Sequence, residues 1–441
     1  MSKPMTSVPV RRIVALAAPL ALSGVVVLGA QLVAIGIVGR IGDAALYVRS
    51  VYLPAAFLFM AVTVGLGVTV QVAVARAAGR GAPGEVSRHL ATVARLAAIL
   101  QPSVGLALIG AVWWFGDALA IAPEHRGLLQ LFLLAMTAAG AVSLCGELCA
   151  AALRGLGRGG ASIVLTITFA ALNLAVVAVV GLGAGAGLMA VPVGFAVAGA
   201  AELVVGLTLL HRRGNLRPGW RVRDAATIRL VRSVGFPVAG SYLTLFVVNG
   251  LMLRIVAPSG QATVAGFAAG YLLQTLLIVP GIGLGSAVAV LMNQRPDAAP
   301  GIFRRGLALV VGCYAAVTLL LLAVGRPLAS LLSDNPEIVA AAWRYLAVVG
   351  PTFGCTGVVL AVLTVLEQVG HGPLALGMTI FYFATILVVG ALLVAASRDV
   401  GDLYRTIAVA AAISVVTAPA IALFVLPAAA PRRRDTAPVR S

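Results

Sequence analysis

Two carboxylates lie deep inside apolar stretches: Glu147 in LFLLAMTAAGAVSLCGELCAAAL and Glu202 in AVPVGFAVAGAAELVVGLTLL. An acid held in hydrocarbon costs several kcal/mol, so it faces a cavity or a partner. One chemistry open to such a group is uptake of a proton or of a cationic group on a passing solute, for which an acid out of water is suited. The other is structural. Glu147 lies seven residues before Arg154, roughly 10 Å along a helix at 1.5 Å per residue. The two could pair on one helix face, or Glu147 could stay neutral and bond a neighbour. Glu202 stands nine residues before His211, at similar depth.

The uncharged polar residues in apolar runs are Gln31, Asn173, Asn249, Gln274 and Thr356. They could line a cleft and orient a polar group of a solute, or serve as hydrogen-bonding glue between helices. Pro19, Pro237, Pro280 and Pro351 mark expected helix bends.

Enzyme chemistry finds no foothold. There is no H-E-x-x-H and no G-x-S-x-G, and His89, His125, His211 and His371 fall at helix ends or loops without intramembrane acids beside them. Lys3 is the only lysine, so no P-loop lysine exists to reach a nucleotide's phosphates. Cys145, Cys149, Cys313 and Cys355 sit in apolar runs with no C-x-x-C pair; buried cysteine behaves as a small hydrophobe. No catalytic residue, resident metal or cofactor is expected, only a transported H+ or Na+.

These residues must be positioned by membrane helices. The 441-residue chain is 61% hydrophobic and 10% charged, with a mean hydropathy of +1.07, whereas soluble domains run about 45–50% apolar and about 25% charged. About 20 apolar residues span a bilayer as a helix. Such runs lie near 12–38, 51–75, 92–113, 127–152, 161–181, 187–210, 231–256, 264–292, 306–324, 338–365, 373–396 and 404–427. The first continues too far for a signal peptide. The expected class is an all-α polytopic membrane protein of twelve transmembrane helices.

The net charge of +17 is distributed as a topology signal. Twenty-three of the 31 basic residues fall on one side of the twelve-span arrangement, among them Arg76, Arg80, Arg88, Arg95, Arg154, Arg158 and seven between 211 and 232. By the positive-inside rule that side is cytoplasmic and holds both termini. The charge then also attracts anionic lipid headgroups, and no basic–aromatic interleaving points to nucleic acid. Thirty arginines against one lysine, with abundant Ala, Gly and Val, suggest a bacterial chain of a GC-rich genome and hence the plasma (inner) membrane.

The chain repeats itself. Pro19 and Pro237 align at an offset of 218, as do Gly42 and Gly260, and Gly65-Leu66-Gly67 and Gly283-Leu284-Gly285. LRGLGRGG at 153–160 aligns with LEQVGHGP at 366–373 at an offset of 213. Each half holds six spans and enters the membrane the same way up, a parallel repeat. The expected organisation is an N-terminal lobe over 1–210, a cytoplasmic linker over 211–230, a C-terminal lobe over 231–427 and a basic tail over 428–441. Two pseudo-symmetric six-helix lobes with a path between them suggest a secondary transporter.

The residues also resemble a family. APLALSGVVVLGAQLVAIGIVGRIGDAAL is similar to the first helix and turn of MATE (multidrug and toxic compound extrusion) transporters. The GLG before ARAAGRG, LRGLGRGG before ITFAALNLAVVAVVGLG, and RSVGFPVAGSY with VPGIGLGSAVAVLMNQ follow the family's order over about 12–427. The resemblance implies export of cationic and amphipathic compounds in exchange for Na+ or H+, by a monomer whose partners are a small-molecule substrate and lipid. At the places where branches of that family carry intramembrane acids, this chain has Ala34, Val177, Leu245 and Thr356. Glu147 and Glu202 are then the coupling candidates. The competing expectations are a flippase for a lipid-linked or amphipathic metabolite, and a non-transporting membrane partner of a biosynthetic pathway.

Overall fold

The computed structural model describes residues 10–82, 84–115, 123–216, 224–330 and 335–428. Linker residues 217–223 and all but the first residue of the expected basic tail at 428–441 lie outside the described residues. The described chain is helical, as a bilayer demands of backbone that must satisfy its own hydrogen bonds. The helices are α1 (Val10–Ile41), α2 (Asp43–Gly79), α3 (Glu85–Phe115), α4 (Pro123–Gly155), α5 (Gly159–Ala178) and α6 (Ala190–His211). After the linker come α7 (Ala225–Leu230), α8 (Phe236–Val256), α9 (Gln261–Gln294), α10 (Ala299–Ser330), α11 (Pro336–Val349), α12 (Phe353–Leu366), α13 (Gly372–Ser397) and α14 (Gly401–Ala428).

Among the described residues, eleven helical stretches are long and apolar enough to cross a membrane. One of them, Pro336–Ser397, runs for 62 residues and breaks at Gly370, where φ is 122°. It therefore crosses twice, and among the described residues the spans number twelve in two six-helix lobes. Helices α7 and α8 form one span through a π-turn at Val231–Gly235, and α11 and α12 form another through a 3-10 turn at Gly350–Thr352.

The repeat read in the sequence is visible in the backbone. Gly42 and Gly260 end the first span of each lobe at φ 144° and 94°, and Gly157 and Gly370 end the fourth at φ 76° and 122°. These are left-handed values that a side chain resists. The GLG motifs are equivalent in three dimensions as well. A Cβ on Gly65 of α2 would meet the Gly235 carbonyl oxygen at 2.6 Å, and one on Gly283 of α9 would meet the Ala21 nitrogen at 2.6 Å. Each first glycine thus lets its helix touch the opposite lobe. Each second glycine faces its own lobe: Gly67 lies against Glu147 and Ala151 of α4, Gly285 against Ala361 of α12.

The apolar cores divide unevenly along the membrane normal. At the end carrying the linker, one cluster joins Ile13, Leu16, Ala17, Leu20 and Ala75 of the first lobe to Ala287, Leu291, Val362 and Leu366 of the second. Val72 likewise packs on Val234 and Val238 across the seam. At the far end each lobe has its own cluster. One runs from Val38 through Tyr52, Phe132 and Val191, the other from Val248 through Tyr345, Phe353 and Tyr404, and neither includes the opposite lobe. Burial falls along α1 in step: Ile13, Leu16, Ala17 and Leu20 are buried, while Gln31, Leu32, Val33, Ile35 and Gly36 are exposed. The lobes are joined at the linker end and have separate cores at the far end.

Candidate functional site

The GELCAAALRG segment of α4 places Glu147 and Arg154 two turns apart on one face, and their side chains form an ion pair. Glu147 is partly exposed and Glu202 is buried. Helices α4 and α6 can approach this closely because Gly146 faces Glu202 and Gly199 faces Ser143, where no larger side chain would fit. The two acids therefore act on each other across the α4–α6 contact. Arg154 forms its ion pair with Glu147; among the described residues Glu202 forms none.

Arg154 also reaches out of α4. Its Nε donates to Gln71 Oε1 of α2 at 3.0 Å and its second nitrogen to Ser162 Oγ of α5 at 3.3 Å. An arginine only donates, so Gln71 turns its oxygen toward Arg154 and its amide nitrogen toward the other lobe. There Gln71 Nε2 donates to Ser286 Oγ of α9 at 2.7 Å and to Gln368 Oε1 at 3.0 Å. The Ser286 hydroxyl donates to the same Gln368 oxygen at 3.3 Å. A continuous polar path runs from Glu147 through Arg154 and Gln71 to Ser286 and Gln368, crossing the seam between the lobes at the linker end.

Three further bonds close the seam. Arg76 of α2 donates to Asn293 Oδ1 at 2.9 Å and to the Val369 carbonyl at 3.0 Å. Asn293 in turn donates to the Gln368 carbonyl at 3.0 Å. From the second lobe Gln294 of α9 donates to the Gly155 carbonyl at 2.8 Å. None of these residues was a candidate in the sequence. The signal was there: Arg76 and Gln294 share the 218 offset, and Arg154 and Glu367 the 213 offset.

The polar candidates do not form one cleft. Gln31 is exposed on the far half of α1. Asn173 is buried on α5 beside Gly194, and its Oδ1 has no hydrogen-bond partner among the described residues. The remaining three belong to the second lobe. Gln274 is buried and accepts from the Tyr345 hydroxyl. Asn249 pairs with Tyr271, and Thr356 with Tyr382. They border an aromatic cluster in which Phe267 stacks on Tyr404 at 6.2 Å and Tyr345 meets Tyr404 edge-on at 5.1 Å. Pro19 and Pro280 lie inside α1 and α9. Pro237 opens α8 after its π-turn, and Pro351 sits in the 3-10 turn before α12.

A third acid lies at a helix end, and the structure buries it. Glu367 follows α12 in a π-turn at Glu367–His371, is 8% exposed and accepts from the Ser241 hydroxyl at 2.6 Å. It stands directly before Gln368 of the seam. No group of three or more metal-ligating side chains occurs among the described residues.

Residues 237–394 match the MatE family model. No curated protein matches the chain. Among solved structures, the Vibrio cholerae MATE transporter VcmN in its bent form aligns at a TM-score of 0.87 and 17% identity, over 95% of this chain and 97% of that one. A MOP superfamily transporter from Pyrococcus furiosus, described as having a binding pocket of reverse polarity that suggests a different function, aligns at 0.84 and 16%, over 95% and 96%. An outward-facing multidrug resistance MATE transporter aligns at 0.83 and 16%, over 97% and 99%. At these identities the likeness is one of fold.

Proposed function

We propose that the chain is a MATE-type exporter, which moves small amphipathic or cationic compounds outward in exchange for H+ or Na+; the MatE match over 237–394 and the shared fold support this reading. Its fold is that of a membrane transporter, and the exchange reading goes further. The observation that carries it is the Glu147–Glu202 pair. Two acids share one α4–α6 contact with a single arginine paired to one of them. Holding both charged out of water is costly, so binding of a proton, a sodium ion or a cationic group there is favoured.

With the linker on the cytoplasmic side of a bacterial plasma membrane, the joined ends of the lobes close the inner side and the separate far-end cores flank an outward opening. Substrate would leave through that opening, past the aromatic surface of the second lobe, whose Tyr271, Tyr382, Asn249 and Thr356 offer ring faces and hydrogen bonds without a fixed charge. Such a surface suits amphipathic compounds, because aromatic rings bind both apolar bodies and cations.

The test is uptake of a fluorescent organic cation into proteoliposomes holding the full chain, under an imposed proton or sodium gradient. The expected result is gradient-dependent accumulation by the wild type and its loss in the Glu147→Gln, Glu202→Gln double variant. Accumulation that survives in the double variant would remove the coupling role from these acids. No accumulation under either gradient would remove the exporter reading for this substrate class.

A further inference from the structure

Among the described residues, Arg154 is the group bonded both to an acid of the pair and to a side chain that crosses the seam. Its ion pair with Glu147 lies wholly within α4. Its Nε fixes the Gln71 amide at 3.0 Å, and that amide holds Ser286 and Gln368 of the other lobe at 2.7 and 3.0 Å. We propose that Arg154 is the positioning residue that couples the acids to the seam: neutralising Glu147 releases Arg154, which releases Gln71, which unlocks the lobes at the linker end.

The chemistry of each link gives the direction. With Glu147 charged, the guanidinium is anchored by a charge-assisted bond and presents Nε to Gln71 at a fixed place. Gln71 can donate to the second lobe only while its oxygen is held from behind, since a free amide rotor would lose the alignment that two acceptors at once require. Once Glu147 takes a proton, the anchor weakens and the Arg154 guanidinium is free to turn away from Gln71. The crossing bonds then lose their support while Arg76 and Gln294 remain.

The groups around Glu147 are consistent with one switch rather than several. Glu202 faces it from α6, Arg154 and Cys149 belong to its own helix, and α2 brings the uncharged Gly67. Helix α5 contributes Ser162 to Arg154, and α3 carries Arg95 ten residues into its length.

The sign fits exchange, on which this inference rests. A proton arriving from the far side would unlock the linker end and admit the inward-open state. Its departure on the linker side would restore the Glu147–Arg154 anchor and return the carrier, with substrate, to the state seen here. The same acid thus serves as load sensor and as lock.

The experiment measures the seam without substrate, so its failure is distinguishable from failure of the transport reading. Spin labels are placed at Arg212→Cys and Arg304→Cys, exposed at the linker end of either lobe, in the full chain with the four native cysteines replaced by Ala. Their separation is measured in lipid at about pH 8 and about pH 3.5, above and below the ordinary glutamate value of about 4.3. The wild type is expected to hold a short separation at the higher pH and a longer one at the lower. Glu147→Gln is expected to raise the long-to-short ratio roughly tenfold at the higher pH, the effect of losing one charge-assisted bond, and to abolish the pH response. Gln71→Ala cuts the path on a different helix and is expected to do the same; it carries the test if Glu147→Gln does not fold. A short separation in Gln71→Ala at the higher pH, or an unchanged pH response in Glu147→Gln, would overturn the proposal.

Discussion

Arg76 and Gln294 occupy equivalent places on the second helix of each lobe, and each donates to main chain of the opposite lobe: Arg76 to the Val369 carbonyl at 3.0 Å, Gln294 to the Gly155 carbonyl at 2.8 Å. The acceptors end equivalent helices, just before Gly157 and Gly370 turn the chain through positive φ. The lock therefore obeys the same two-fold relation as the lobes. Its two halves differ in charge, because the repeat has kept an arginine on one side and an amide on the other.

That difference sets the first prediction. Arg76→Ala removes a charged donor that serves two acceptors; Gln294→Ala removes a neutral donor that serves one. Hydrogen bonds from charged groups contribute about 1.5–3 kcal/mol and neutral ones about 0.5–1.5. Arg76→Ala should therefore open the linker end more than Gln294→Ala, and the double variant more than either. Maleimide labelling of Ala287→Cys, buried in the cluster that joins the lobes, with the four native cysteines replaced by Ala, measures this. Equal labelling rates in the two single variants would contradict the ranking.

The GLG motifs give the second. Adding a methyl at Gly65 or Gly283 drives it to 2.6 Å from main-chain atoms of the other lobe, and overpacking of this kind costs about 1–3 kcal/mol. Gly65→Ala and Gly283→Ala should both favour the state with the linker end open, to similar degrees. Gly36→Ala, where an added Cβ meets nothing within 4 Å, should leave the equilibrium unchanged. Seam labelling at Ala287→Cys reads all three, and an effect confined to one motif would show that the two lobes are not mechanically equivalent.

Much of this was legible beforehand for a definite reason. Spans announce themselves because a bilayer tolerates only long apolar helices, and the repeat survives as Pro19 with Pro237 and Gly65 with Gly283, positions fixed by packing geometry. The Glu147–Arg154 pair was one of two readings left open by helical spacing alone. The seam was not legible. Gln71, Ser286, Gln368 and Asn293 lie far apart in sequence and look like ordinary polar residues near helix ends; only docking of the lobes brings them together. Glu367 does end a helix, but its burial was not legible, because the π-turn that draws it inward has no signature in hydropathy.

Glu367 supports a third prediction. It is buried and held by the Ser241 hydroxyl at 2.6 Å. Ser241→Ala leaves the carboxyl without that donor, at a cost of about 1–3 kcal/mol. Glu367→Gln keeps an acceptor oxygen for Ser241 and should be milder. Thermal unfolding in detergent, followed by loss of monodisperse protein, should rank wild type and Glu367→Gln above Ser241→Ala. The reverse order would mean that the bond contributes little and that the acid is retained for another purpose.

The last prediction concerns the membrane-external end of the linker. Asp224 caps α7: it accepts from the Ala226 amide at 3.1 Å and the Thr227 hydroxyl at 2.6 Å, and its carboxylate lies 3.1 Å from His89 Nδ1 of α3. Burial opposes its charge, but the bonds from Thr227 and Ala226 and the neighbouring His89 outweigh that and hold the carboxyl below the usual range. A carboxylate depressed in the folded state stabilises it at pH above the unfolded value, and that contribution is lost as pH falls through the folded one. The α7 cap should thus be intact at neutral pH and weaken only below the ordinary aspartate range of about 4. Asp224→Ala should remove about 0.5–2 kcal/mol of capping at neutral pH and abolish the acid dependence, whereas Asp224→Asn should retain most of the cap. Hydrogen exchange of the amides at 225–230 measures both. Protection of those amides in Asp224→Ala equal to the wild type at neutral pH would show that α7 is held by packing of Thr227 and Val231 alone.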